Sequence, residues 1–415
     1  MNRLLSLFAL AASILLAACA GTGSSLSSGK TASIAQDTPA PKRFVVRGAS
    51  IIDRETDAPV FFRGMGYSPY LPGETPLFGA PPGDDGRYAE HFARFRELGV
   101  NYLHVFPLLM PAGFFAELDK TDLVYGQDIW VMGGAPDFLD PEFQKNTIEL
   151  IRAVIDHTYK VGRPDRLVLF SVGDELHADS IMRTDMRHPQ VRDFAGRHVR
   201  VADRTPTEVA LAMLIDAAID YELTRYGRRH LYCHTSWTHV GPLAGRPDIE
   251  VKPESTLVPD MGDLWCMNVY TYARGVKTSP PGSVTGTPYQ GYLEELAAFV
   301  TKPVIVTQVG LSTSPIEPKA WVPGFGGHKV EDVPKTFRSV WQDIRTARGK
   351  EKFAGMVFFE LQDEWWKSGE DPTDSATHEP EDPEEWFGVY EVGPGKRLIP
   401  KGQIPETIRR LFAGP

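Results

Sequence analysis

Residues 140–175 read DPEFQKNTIELIRAVIDHTYKVGRPDRLVLFSVGDE. The first half is a helix: Asp140 stands in the capping position, where its carboxylate can accept backbone N–H bonds that the first turn leaves open. The second half, RLVLFSVGDE, is apolar on successive residues rather than alternate ones. A strand of that kind is buried on both faces, as strands of parallel sheets are. Helix followed by doubly buried strand is the repeating unit of an α/β protein.

The unit recurs along the chain. DDGRYAEHFARFRELGV puts Tyr88, His91, Phe92, Phe95 and Leu98 at helical spacing ahead of the strand VNYLHVFP. TPTEVALAMLIDAAIDYELTRYG has Thr205 as cap and Pro206 just inside, and RHLYCHTSW follows as a strand. PYQGYLEELAAFV precedes PVIVTQVG, and VPKTFRSVWQDIRTARG precedes GMVFFELQDEWW. LVYGQDIWVM and DLWCMNVYTY are further short apolar runs. Strands starting at Val60, Asn101, Leu123, Leu167, His230, Asp263, Pro303 and Met356 make eight. Eight such strands predict one (β/α)8 TIM barrel over residues 43–415, with a short N-terminal β-hairpin around the turn-prone Asp53–Pro59. A doubly wound sheet would want a glycine-rich phosphate turn after the first strand, where this chain has GMGYSPY. Residues 370–385 are an acidic, proline-broken loop, and ETIRRLFAG near the end reads as a closing helix.

The first residues carry different information. Arg3, the apolar run Leu4–Leu16 and the small residues after it form an export signal too short to span a bilayer as a mature helix. Leu16-Ala17-Ala18-Cys19 resembles the bacterial lipobox, which implies a signal peptide over residues 1–19 and a lipidated Cys19. Residues 20–42, rich in Ser, Gly, Thr and Ala, read as a flexible tether. The membrane is then met through Cys19 alone, and Ala20 after the cysteine suggests an outer-membrane lipoprotein of the cell envelope. Cys233 and Cys266 lie in apolar runs and are expected as buried thiols. A formal net charge of −10 argues against a nucleic-acid partner and favours a neutral or cationic ligand.

Barrel enzymes place their chemistry at the C-terminal ends of strands. Strand four ends in Asp174 and Glu175; strand five carries His234 and Trp237; strand six carries Asn268, Tyr270 and Tyr272; strand seven carries Gln308; strand eight carries Glu360, Asp363 and Trp365. Tyr67 follows strand one. Tyrosine and tryptophan rings can stack on the apolar C–H faces of sugars, and Glu175 beside Asp174 is a candidate for a carboxyl kept protonated by burial and like charge.

These motifs resemble those of the retaining TIM-barrel glycoside hydrolases and transglycosylases, in the β-glycosidase and β-1,3-glucanosyltransferase branches. LVLFSVGDE looks like the strand-four motif with Asp174 in place of asparagine, and KPVIVTQVG looks like the strand-seven motif with Gln308 in the nucleophile's place. The resemblance implies a β-linked glucan-like polysaccharide as partner, a monomer, no cofactor, and Glu175 as acid/base. Asp174, His234, Trp237, Asn268, Tyr270, Gln308, Trp365 and Tyr67 become candidates for sugar subsites.

Gln308 is a neutral amide and cannot form a glycosyl ester. Three readings stay open. A strand-eight acid, Glu360 or Asp363, replaces the missing carboxylate at a separation set by the stereochemistry. Alternatively the barrel binds glycan without cutting it, with Gln308 hydrogen-bonding a hydroxyl. In the third, the substrate's own N-acetyl group attacks, with Asp174-Glu175 as the adjacent acid pair. For a metal site, His104, His177, His234 and His239 lack ligand spacing, and Ser171 lacks the G-x-S-x-G elbow of a serine hydrolase.

Overall fold

Eight parallel strands close on themselves in chain order: β1 (Phe62–Tyr67), β2 (Tyr102–Val105), β3 (Val124–Ile129), β4 (Leu167–Asp174), β5 (Leu231–Trp237), β6 (Trp265–Asn268), β7 (Val304–Val309) and β8 (Phe353–Phe358), which pairs back with β1. The computed structural model describes residues 43–83, 85–131, 136–243, 251–270, 286–316, 326–367 and 374–414. The expected TIM barrel is the observed one, and every strand lies within three residues of its expected start. The signal and lipidation segment, the tether and Tyr272 lie outside the described residues.

The helices form where the sequence caps them. In the helix Pro141–Lys160, Asp140 accepts from the backbone N–H groups of Glu142 and Phe143 at 3.0 Å each. In Pro206–Tyr226, Thr205 and Glu208 form a reciprocal capping box, which satisfies two donors that the first turn leaves open. The outer layer packs these helices on the sheet through residues such as Phe92, Phe95, Leu211 and Ile215. Two helices were not anticipated: Ala112–Leu118 between β2 and β3, and Ala178–Arg187 directly after β4. Beyond β8, the strands Tyr390–Val392 and Leu398–Pro400 form an extra hairpin, and the closing helix is Ile404–Ala413.

Inside the barrel the lower layers are filled by Phe62, Tyr102, Leu169, Leu231, Cys233, Cys266, Ile305 and Val357. The N-terminal sheet (Phe44–Arg47, Ser50–Asp53, Ala58–Pro59) plugs this end, with Phe44 edge-on to Phe62 at 6.1 Å. Cys233 and Cys266 are buried free thiols facing each other across β5 and β6. Apolar side chains therefore fill the barrel interior toward its floor. No described helix is long and apolar enough to cross a membrane.

Candidate active site

The end of β4 is bent by a bulge. Cys233 of β5 pairs with Ser171, yet Thr235 pairs with Asp174, so β4 spends one residue more than β5 over the same stretch. Gly173 takes φ +80°, and a Cβ added there would lie 3.1 Å from His234 Nδ1. A bulge of this kind re-aims the side chains that follow it. Glu175 also has a positive φ, 45°, and both Asp174 and Glu175 reach the same neighbour on β6.

That neighbour is Asn268. Its Nδ2 donates to Asp174 Oδ1 at 2.9 Å and to Glu175 Oε1 at 2.8 Å, while its Oδ1 accepts from Thr307 Oγ1 at 2.7 Å. Gln308 Nε2 donates to Asp174 Oδ2 at 3.3 Å, and Gln308 Oε1 accepts from the Tyr270 hydroxyl at 2.8 Å. Five residues from strand ends four, six and seven thus form one hydrogen-bonded chain: Glu175, Asn268, Asp174, Gln308 and Tyr270. The sequence placed all five at the mouth, and the structure brings them together.

Asp128, near the end of β3, was missed. It is fully buried, and neither carboxylate oxygen has a partner in good hydrogen-bond geometry among the described residues. Burial pushes its carboxyl up to about 8, with the charge of Glu175 adding to the rise and Ser171, the Ile129 N–H and Trp130 opposing it. Burial, then Asp128, then Glu175 also hold the Asp174 carboxyl well above the usual range, against Asn268 and Lys367. The signal for it in the sequence is its place near a strand end, the only acid in VYGQDI.

The remaining expectations divide. His234 is fully buried, donates from Nδ1 to the Val172 carbonyl at 3.0 Å, and is held down to about 4 by burial. Nδ1 thus fastens the bulge, while Nε2 is buried without a hydrogen-bond partner among the described residues. Tyr67 is a correction. It is fully buried in the layer outside the barrel, bonded through its hydroxyl to His91 Nδ1 at 2.9 Å and stacked on Phe114 at 5.6 Å, so no ring face is left for a ligand. Trp237 is half-buried and stacks on His239 at 4.6 Å. Trp365 stacks on His378 at 4.8 Å, whose other face meets Trp386 at 3.5 Å. Tyr270 belongs to a separate aromatic cluster with Phe106, Phe359 and Phe387.

The strand-eight acids do not join the chain. Asp363 is locked by the buried Lys401, whose Nζ lies 2.6 Å from Oδ1, and by the Gly388 N–H at 2.9 Å. Burial raises its carboxyl and Lys401 pulls it back, leaving it at about 6. That corrects its reading as a substitute nucleophile: the charge is already spent on a structural lysine. Glu360 is fully buried; burial and then Glu364 raise its carboxyl, opposed by Lys367. Neither of its carboxylate oxygens has a partner in good hydrogen-bond geometry among the described residues. Among the described residues no three His, Cys, Asp or Glu side chains converge as metal ligands.

No family model and no curated protein matches the chain. Solved structures do match in fold. A GH2 β-galacturonidase from Eisenbergiella tayi superposes with TM-score 0.55 at 12% identity, covering 90% of this chain and 54% of its own. The Ruminococcus gnavus β-glucuronidase gives 0.57 at 12% identity, covering 89% and 52%. Saccharomyces cerevisiae Gas2p in complex with laminaritetraose and laminaripentaose gives 0.51 at 13% identity, covering 90% and 68%. The chain spans about half the length of the two bacterial enzymes. At these identities the likeness is one of fold, and the eight-stranded barrel described above is an architecture this chain shares with glycoside hydrolases.

Proposed function

We propose that the mouth of the barrel binds a β-linked, glucan-like glycan and cleaves or transfers it, with Glu175 as the acid/base. The observation that carries this is the single hydrogen-bonded chain from Glu175 through Asn268, Asp174 and Gln308 to Tyr270. Glycosidic cleavage needs a proton for the leaving oxygen and a second carboxyl on the reacting carbon or on a water beside it. Asp174 is the other carboxyl in that chain, oriented by Gln308; burial holds its proton on, so it fills that second role only after releasing it. The glycans bound by the Gas2p structure supply the polymer class first to be tried. The chain is further proposed to be a lipoprotein, tethered through Cys19 to the outer membrane, for which the mass of the N-terminal peptide from whole cells is the test.

A second reading is favoured by the neutrality of Gln308 and the engagement of Asp363 by Lys401: the site holds glycan without turnover. The experiment separates the two. Residues 20–415 are incubated with a panel of β-glucans, and products are read by mass, alongside Glu175→Gln and Gln308→Glu. Turnover that falls about 10²–10⁴-fold in Glu175→Gln, the usual worth of a general acid, supports the enzyme. Binding without turnover, with activity emerging only in Gln308→Glu, supports the second reading. Neither binding nor turnover across the panel would end both.

A further inference from the structure

Asp174 and Glu175 stand too close together for a sugar to be attacked between them. Asn268 Nδ2 lies 2.9 Å from Asp174 Oδ1 and 2.8 Å from Glu175 Oε1, so one amide group fills the space between the two carboxyls. A retaining pair flanks the scissile bond, and an inverting pair stands further apart to admit a water. The other strand-end acids are out of reach: Asp128, Glu360, Asp363 and Glu364 each have at most 1% of their surface exposed. Asp363 is held by Lys401, and Glu364 by Lys367 at 3.0 Å. Asp174 keeps 8% of its surface exposed and Glu175 is half-buried. A substrate therefore meets these two acids together, with the neutral Gln308 beside them.

The same groups suit an amide. Each Asp174 oxygen has a lone pair beyond the one used by Asn268 or Gln308, and the Gln308 bond is long at 3.3 Å. An N–H arriving there finds an acceptor. One link along the chain, the Tyr270 hydroxyl bonds Gln308 Oε1 at 2.8 Å, and the Tyr270 ring packs with Phe106, Phe359 and Phe387, with Trp130 against them. Phe106, Trp130, Tyr270 and Phe359 follow β2, β3, β6 and β8, so this cluster spans the mouth and sets an apolar surface next to the polar chain. An acceptor for an N–H beside a surface that favours a methyl group matches an acetamido substituent; a hydroxyl in its place leaves the apolar surface unused.

We infer that the β-linked glycan of this site carries acetamido groups, and that the acetamido oxygen of the sugar is the nucleophile that Gln308 cannot be. The inference rests on the proposed cleavage with Glu175 as acid, and it moves the part of Asp174 from the reacting carbon to the substituent beside it. Glu175 gives its proton to the glycosidic oxygen, which leaves with the bonding electron pair. A lone pair of the acetamido carbonyl oxygen forms the new bond to the anomeric carbon and closes an oxazolinium ring, whose N–H donates to Asp174. Glu175, now a carboxylate, takes a proton from water as the water oxygen attacks the same carbon. The ring C–O bond then breaks, its electron pair returns to the amide, and the product keeps the β configuration.

The test incubates residues 20–415 with β-linked oligosaccharides of equal length built of N-acetylglucosamine, of glucosamine and of glucose, reading products by mass and the first-formed anomer by NMR. The expected result is turnover of the acetylated oligomer at least about 10²-fold above the other two, the usual worth of one group acting in the transition state. The β-anomer should appear first, and the thiazoline analogue of N-acetylglucosamine, which mimics the closed ring, should inhibit competitively. Asp174→Asn should lower kcat on the acetylated oligomer at least about tenfold with KM little changed. Thiazoline competition on the unaltered chain decides the matter even where that variant fails to fold. Equal turnover of the three oligomers, a preference for glucose, the α-anomer first, or indifference to the thiazoline each overturns the inference and leaves glycan cleavage by Glu175 standing. No turnover of the acetylated oligomer overturns it too, and only failure of the whole β-glucan panel as well reaches the reading it rests on.

Discussion

Asp363, just past β8, and Asp174, at the end of β4, are both buried aspartates at the same mouth, yet one faces a lysine and the other faces amides. Lys401 supplies Asp363 with a full opposite charge, so that carboxyl is an anion across most of the neutral range and its job is to tie the C-terminal hairpin to the barrel. Asn268 and Gln308 supply Asp174 with dipoles only. Burial and two neighbouring acids then hold its proton on. A carboxyl that keeps its proton at the mouth of a barrel is available for chemistry, whereas one spent on a lysine is architecture.

The sharpest way to break this comparison is Lys401→Met. It strands the Asp363 charge in a buried site, and unfolding in urea should show a loss of about 3–5 kcal/mol, the usual cost of removing one partner of a buried pair. Asp363→Asn/Lys401→Met should recover most of that; a double variant no more stable than the single would show that the pair is not what anchors the hairpin.

Asp128→Asn addresses the other side. The wild-type carboxyl is raised from its ordinary value to about 8, so the folded state binds a proton that the unfolded state has released. Stability from this group is complete at pH below about 4 and drains away as pH rises toward 8. The asparagine cannot ionise, so its stability relative to wild type should climb over that window by 1 kcal/mol or more, given roughly 1.4 kcal/mol per pKa unit. Thermal melts of both proteins at pH 5 and pH 8 decide it, and a constant difference would mean that Asp128 is an ordinary ionised acid.

The smallest effect is expected from Tyr270→Phe, which removes the hydroxyl that fixes the orientation of the Gln308 amide. Loss of one neutral hydrogen bond is worth about 0.5–1.5 kcal/mol. If the amide chain positions Asp174, glycan turnover or binding should fall by more than the stability does; parallel losses would make Tyr270 a packing residue.

The barrel was legible because doubly buried strands and capped helices write themselves into local sequence: Asp140, Thr205 and Pro206 cap as read. Glu175, Asp174, Asn268, Gln308 and Tyr270 were legible because the strand-end rule is topological. What the sequence could not carry was the partner each side chain meets. Asp363 and Glu175 look alike as strand-end acids, and only the fold reveals Lys401, 38 residues on, beside the first. Tyr67 has the right position for a ring at the mouth, but side chains alternate faces along a strand, and its neighbours His91 and Phe114 lie on the helix side. Trp365 has the position of a ring at the mouth, and only the fold shows it stacked on His378, which meets Trp386 in turn.

One nitrogen of Asn268 serves two acids at once. Protonating either acid weakens that acid's hold on the shared amide and strengthens the other's, and Asp128 bears on Asp174 more strongly than Glu175 does, so protons at this mouth leave one coupled unit rather than single residues. The limbs of any bell-shaped rate profile from this mouth then belong to the unit, and replacing one member should displace both.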